Sequence, residues 1–202
     1  MLLLRFQRYK EIGYGLYVIL FVCTGNTCRS PMAEAFLKDQ LVQASSEIKV
    51  FSAGISAKSD ESASEEAKKV MQTFNIDLSG HKARLLNNDM VTKAELIIVM
   101  TRPHELSVSK IQQQARSRTF LAGEIVRLGS LVSKLEKLPL LKMWVEELHS
   151  ARGGYMTSGR SADEIHDPLG ESFEEYQKVA KRLNEICGFL SKLLTSEVNK
   201  NP

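Results

Sequence analysis

The chain has 202 residues, 43% hydrophobic and 25% charged, with 27 Lys plus Arg against 24 Asp plus Glu for a formal net charge of +3. Those proportions fit a globular protein with a single core and exclude a disordered chain, a collagen and a membrane bundle. The small basic excess forms no concentrated face, which argues against a nucleic-acid partner.

The longest apolar run, Leu16 to Cys23, is far short of the roughly 20 residues that a membrane helix needs. The opening Met1 to Leu4 is too short for the roughly 7–15-residue core of a signal peptide. No membrane partner is therefore expected. Cysteines stand at 23, 28 and 187. An odd number so spaced is not a secreted disulfide framework, and the expected setting is reducing and cytoplasmic.

In chain order, Tyr17 to Val22 is continuously apolar and β-branched or aromatic, which predicts a strand buried on both faces. From Pro31 a helical period takes over with Met32, Ala35, Phe36 and Leu37, and the proline suits the first helical turn. Ile48 to Ala53 reads as a second strand and Glu61 to Phe74 as a helix. Glu95 to Met100 is a third strand, Pro103 to Ala115 a helix, and Arg118 to Leu121 a short fourth strand. The segment Gly123 to His166 breaks this rhythm, although Leu140 to His149, which carries the only tryptophan, Trp144, has a helical pattern. Gly153 to Gly159 reads as a loop. Ser172 to Leu194 closes the chain with a long amphipathic helix, opened by a Ser172/Glu175 capping box. Strands alternating with helices predict an α/β fold with a parallel sheet.

The chemistry-bearing stretch is Cys23-Thr-Gly-Asn-Thr-Cys-Arg-Ser-Pro31, between the first strand and the first helix. Ligands of α/β sheets bind at the carboxyl ends of strands, and helix N-terminal amides favour an anion there. Cys23 and Arg29 are spaced so that a loop can wrap a tetrahedral oxyanion, with the sulfur below it and a guanidinium gripping two of its oxygens. A positive loop lowers a thiol pKa into the range of roughly 3.5–7.5, so Cys23 is expected to be a thiolate nucleophile at neutral pH. Gly25 lets backbone approach the anion, and Asn26 tolerates a left-handed conformation. A lone cysteine is more often a small buried hydrophobe; the whole constellation outweighs that reading. No metal or other cofactor is expected, because no Cys or His cluster complements Cys23 and Cys28, and His81, His104, His149 and His166 are scattered.

The run Val22 to Ala35, VCTGNTCRSPMAEA, resembles the low-molecular-weight protein tyrosine phosphatase family, as do Phe51 to Gly54, Asp77 to Arg84 and Asp167-Pro168. The resemblance covers about Tyr17 to Gly123 and His166 to Leu194. It implies a three-layer α/β/α fold around a four-stranded parallel sheet, and metal-free hydrolysis of phosphomonoesters on a phosphorylated protein substrate in two steps. In that reading Cys23 becomes a cysteinyl-phosphate, and Asp167 is general acid and then base. Arg29, with the loop residues Thr24, Gly25, Asn26, Thr27, Cys28 and Ser30, binds phosphate or another oxyanion. Asn26, Ser30, Ser52 and His81 correspond to a supporting hydrogen-bond network. Cys28 corresponds to a second cysteine that can trap an oxidised Cys23 as a disulfide. Cys187 reads as core.

Three positions bear on substrate. Tyrosine-directed members tend to carry an aliphatic residue where this chain has Thr27, and aromatics where it has Lys58 and Leu169. Thr27 resembles the protein-arginine-phosphatase branch, and that comparison favours phosphoarginine, although that branch also often has an aromatic at the position of Leu169. Trp144 or Tyr155 could supply the missing aromatic wall. Two other classes rank lower. A thiol-coupled arsenate reductase needs a relay pair of cysteines that is missing between Cys28 and Cys187, and a non-catalytic phosphoprotein-binding module has no need of Cys23, Arg29 and Asp167 together. Residues 1–202 are expected to form a single phosphatase domain with an N-terminal extension, about 1–14, and an insertion, about 127–164.

Overall fold

A computed structural model describes residues 17–41, 48–132, 141–152 and 161–195. The N-terminal extension, the Gly153 to Gly159 loop and Tyr155 lie outside the described residues.

Strand β1 (Tyr17–Cys23) leads into helix α1 (Arg29–Leu41), strand β2 (Ile48–Gly54) and helix α2 (Glu65–Gln72). Helix α3 (Asn88–Lys93), strand β3 (Leu96–Val99), helix α4 (Arg102–Ile111) and a 3-10 turn (Gln113–Arg118) follow. Strand β4 (Thr119–Leu121) runs directly into helix α5 (Ala122–Gly129). Helix α6 (Leu141–Ala151), a 3-10 turn (Ser161–Asp163) and helix α7 (Phe173–Thr195) complete the described chain.

The four strands form one parallel sheet in the order β2-β1-β3-β4. Successive side chains of a strand point to opposite faces, and β1 shows why it is apolar throughout. Ile19 and Phe21 enter a core shared with α1, α2, α5, α6 and α7, while Leu20 and Val22 enter a second core with Val91 of α3 and Val108 of α4. Helices thus cover both faces, as the unbroken apolar run predicts. Helix α7 lies along α1: Cys187 Sγ donates to Ala33 O at 3.4 Å and Ser191 Oγ to Gln40 O at 3.2 Å, and Cys187 is fully buried, as expected.

Some boundaries differ from the sequence reading. Helix α2 starts at Glu65, because Ser64 caps it by accepting from Ala67 N at 3.2 Å. The helix predicted over Pro103 to Ala115 tightens into the 3-10 turn after Ile111. Helices α3 and α5 had no sequence signal. The first buries only Val91, too little to show a period. The second contains Gly123, which reads as a breaker; here it permits close packing, since a Cβ at that position would stand 2.6 Å from Asp163 Cα.

The helix predicted around Trp144 is present as α6, but Trp144 is only 3% exposed and packs in the main core with Leu141, Val145 and Leu148. It is not an aromatic wall of the Cys23 loop, because its apolar stripe drives it inward. Arg152 fastens the end of α6, donating to both carboxylate oxygens of Glu124 and stacking 4.2 Å over the Phe120 ring. Among the described residues no helix is long and apolar enough to cross a membrane.

Candidate active site

Central strand β1 ends at Cys23, and the chain turns through residues 24–28 into the first turn of α1. The turn is possible because Asn26 adopts a φ of 55°, a left-handed conformation that asparagine tolerates better than most residues. The adjacent end of β2 abuts the loop so closely that a Cβ at Gly54 would lie 2.5 Å from Thr24 O and 2.8 Å from Asn26 N. A Cβ at Gly25 would meet only Thr27 Oγ1, at 3.4 Å. The packing demand for glycine is therefore at 54.

Cys23 Sγ is buried at the bottom of this loop. It accepts from Asn26 N at 3.3 Å and lies 2.9 Å from Ser30 Oγ. Ser30 Oγ also reaches Ala53 O at 3.4 Å. The two contacts define a switch. Ser30 can donate to the Ala53 carbonyl while a thiol donates to it, or donate to the sulfur when that is a thiolate.

Burial pushes the Cys23 thiol up, and it outweighs the Ser30 side chain and amide, Arg29 and the Asn26 amide, which pull down. Burial thus works against the expected thiolate, and the loop donors, Ser30 first among them, work for it.

The predicted supporting network is assembled around Asn26, which has no exposed surface. Its Nδ2 donates to Ser30 Oγ at 2.9 Å and to Ser52 Oγ at 2.8 Å, and its Oδ1 accepts from Arg84 N at 2.8 Å. His81 Nε2 donates to Asn26 O at 2.7 Å. Burial pulls His81 down, against the opposing pull of that carbonyl and of Glu34. Sequence reasoning missed Glu34, which accepts from Ser52 Oγ, Lys38 Nζ and Arg84 Nη2, the last at 2.8 Å. Glu34 is only 7% exposed, and such a buried charge needs these partners, of which Ser52 and Arg84 come from segments that the sequence does not place beside it.

Arg29 is 3% exposed. Its Nη1 donates to Ile165 O at 3.3 Å and its Nη2 to Thr24 Oγ1 at 3.4 Å and to Asp167 Oδ2, with which it forms an ion pair. Its Nε is buried without a partner among the described residues. The guanidinium thus keeps a donor edge for a further oxyanion.

Asp167 arrives from a segment pinned at several points. Asp163 accepts from Arg127 Nη2 at 2.8 Å, Glu164 Oε1 accepts from Arg102 N at 3.0 Å, and Ile165 N donates to Met100 O at 2.8 Å. Leu169 beside it is 64% exposed. Cys28 Sγ, in the same loop, lies 3.2 Å from Ser64 Oγ and 3.4 Å from Tyr176 OH, which tie α2 and α7 to the underside of the loop. Cys23 and Cys28 are both free and buried. His104, set aside by the sequence reading as one of four scattered histidines, stands against Thr24 with Nε2 2.9 Å from its Oγ1.

Residues 18–128 match the family model for low molecular weight phosphotyrosine protein phosphatase. The chain is 36% identical over 181 residues to the protein-arginine-phosphatase of Geobacillus stearothermophilus, covering 90% of this chain and 98% of that protein. It is 40% identical over 105 residues to the low molecular weight protein-tyrosine-phosphatase Ptp of Acinetobacter johnsonii, 52% of this chain and 71% of that one. A YwlE arginine phosphatase variant solved with a phosphorylated active-site serine superposes with a TM-score of 0.68 at 26% identity, over 90% of this chain and 97% of that one.

Proposed function

This chain belongs to the low molecular weight phosphotyrosine protein phosphatase family, and from that premise we propose that Cys23, Arg29 and Asp167 hydrolyse phosphorylated proteins through a cysteinyl-phosphate, with phosphoarginine preferred over phosphotyrosine. The observation that carries this reading is their convergence: a buried sulfur under loop amides, a guanidinium with a spare donor edge, and a carboxylate on that guanidinium.

The chemistry balances on one proton. It starts on the Cys23 sulfur, while the Asp167 carboxylate is ion-paired to Arg29. A phosphoryl group entering the loop takes the Nε–Nη2 edge of Arg29 and the amides of Thr24 to Arg29, and it displaces the carboxylate. That proton passes by way of a phosphoryl oxygen to the Asp167 carboxylate freed from Arg29, and Ser30 turns its hydroxyl to the sulfur. The S–P bond forms as the P–N or P–O bond breaks, and Asp167 delivers the proton to the leaving nitrogen or oxygen. In the second step Asp167 removes a proton from water, whose oxygen attacks phosphorus as the S–P bond breaks. Inorganic phosphate leaves, and Cys23 recovers its proton. Asn26, Ser52 and His81 hold the loop in this shape.

The phosphoarginine preference is supported by Thr27, whose half-buried hydroxyl stands in the loop where an aliphatic side chain would narrow the pocket. Exposed Lys58 and Leu169, at the positions where tyrosine-directed members tend to carry aromatics, leave no ring to stack on a phenyl group. The near full-length match to a protein-arginine-phosphatase points the same way.

We read residues 1–202 as one phosphatase domain acting in the cytoplasm, and Cys28 as a redox partner. Peroxide oxidises Cys23 to a sulfenic acid, the Cys28 thiol attacks it, water leaves, and the disulfide spares Cys23 from irreversible oxidation. Peptide mapping after mild peroxide should find the Cys23–Cys28 linkage, and its absence removes this role.

The function is tested by parallel turnover of phosphoarginine and phosphotyrosine peptides by wild-type protein and by Cys23→Ser and Thr27→Ile variants. Cys23→Ser should abolish both activities, and Thr27→Ile should shift the ratio toward phosphotyrosine. An unchanged ratio overturns the assignment of preference to Thr27, and turnover surviving Cys23→Ser overturns the mechanism.

A further inference from the structure

We propose that His104 is a positioning residue that sets the orientation of Arg29 through the hydroxyl of Thr24, an inference that rests on the phosphatase reading of the Cys23–Arg29 loop. His104 sits in the first turn of α4, far from the loop in sequence, and is only 2% exposed. A buried imidazole aimed at an active-site loop needs a reason, because its burial is costly unless both nitrogens are satisfied.

The proton positions follow from what each partner can do. The Thr101 amide can only donate, and it lies 3.1 Å from His104 Nδ1, with Thr101 Oγ1 at 2.8 Å from the same nitrogen. Nδ1 is therefore the acceptor, and the single proton of the neutral ring is on Nε2. Nε2 donates to Thr24 Oγ1 at 2.9 Å. Arg29 has only donors, so Thr24 Oγ1 also accepts from its Nη2 at 3.4 Å. Both acceptor positions of the hydroxyl are now occupied by fixed donors, one from α4 and one from the catalytic guanidinium. Thr24 cannot rotate without losing both.

Among the described residues the remaining side-chain contacts of Arg29 are to Ile165 O and to Asp167, the second of which an incoming phosphoryl group replaces. Thr24 is then one of two contacts holding the guanidinium plane. The neutral ring is also the one that fits. A second proton on Nδ1 would face the Thr101 N–H and would set a like charge near Arg29. Burial, and then Arg29 itself, hold His104 down to about 4.

The relay is tested on the full chain with para-nitrophenyl phosphate as substrate and inorganic phosphate as competitive inhibitor. His104→Phe keeps the ring volume and removes the donor. It should raise the phosphate inhibition constant about tenfold and lower kcat about tenfold, as expected for a guanidinium released from one fixed partner. Thr24→Val, at an exposed position, should do the same without touching the buried ring. If the two act as one relay, the double variant loses no more than the worse single variant. His104→Gln places an amide donor near the position of Nε2 and should recover most of both constants.

Losses that multiply in the double variant, a glutamine variant no better than phenylalanine, or His104→Phe kinetics equal to wild type each overturn the relay. Failure of the phosphatase reading is a separate result: wild-type protein with no hydrolysis that depends on Cys23.

Discussion

Arg29 and Asp167, 138 positions apart, share an ion pair directly above the Cys23 loop. The guanidinium is almost fully buried and the carboxylate side chain is 44% exposed, so the mobile partner is the acid. An arriving oxyanion and Asp167 compete for the same nitrogen. Removing the carboxylate therefore has two effects of opposite sign. Asp167→Ala should tighten competitive inhibition by inorganic phosphate several-fold, because a competitor is gone. The same variant should lower kcat by about 10²–10⁴, because the leaving atom has lost its proton donor. Steady-state kinetics with inorganic phosphate as inhibitor measure both, and weaker phosphate binding in Asp167→Ala would contradict the competition.

The Cys23 thiol, pushed up by burial, depends on Ser30 for its largest opposing pull. Ser30→Ala removes that hydroxyl and should move the titration further up. Alkylation of Cys23 by iodoacetamide should be slow at neutral pH in the wild type and accelerate as pH rises. In Ser30→Ala the midpoint should lie at still higher pH, with kcat about tenfold or more lower. A Ser30→Ala midpoint at or below that of the wild type would show that the hydroxyl does not bear on the sulfur.

His104 links the site to acid stability. Its folded value, about 4, lies below the ordinary histidine value, with burial the main cause. The stability that it confers is therefore complete above about pH 6.5 and is lost as pH falls toward 4. His81 is displaced in the same direction, so the wild-type slope contains both. The His104→Gln variant isolates one of them. Between pH 7 and pH 4.5 its Tm should fall less than that of the wild type, by about 5 °C, measured by thermal unfolding across that range. Parallel Tm curves would mean that His104 does not titrate in that window.

The legible parts of the molecule were those in which chemistry and local structure coincide in a short run. Strand β1, the turn and α1 could be read from Tyr17 to Leu37, because two periodicities meet at a cysteine-glycine-arginine loop. The Asn26–Ser30–Ser52–His81 network was legible only through the family likeness, since its members come from three places in the chain.

Glu34, Thr101, His104 and the pins on the Asp167 segment were not legible. Each acts through a contact across elements, and nothing within a few residues of His104 marks it as facing Thr24. Trp144 was misjudged for the complementary reason. Its helix was legible, but a helical stripe does not say which core it joins. Gly54 lay within a recognised motif, and only the approach of Thr24 O explains why a glycine stands there.

Asn26 combines a left-handed backbone with the central place in the network, and two substitutions separate these contributions. Asn26→Gly keeps the conformation at φ 55° accessible but removes the bonds to Ser30, Ser52 and Arg84 N. Asn26→Ala removes the same bonds and adds the cost of a β-carbon at positive φ, about 1 kcal/mol. Both should be less stable than the wild type by about 2–4 kcal/mol, because buried Ser52 and the Arg84 amide lose partners. The alanine variant should be the worse of the two. Both should also lose most activity, since Ser30 is no longer held by the asparagine amide. Urea unfolding of the three proteins measures the difference, and an alanine variant as stable as the glycine variant would remove backbone strain from the account of this loop.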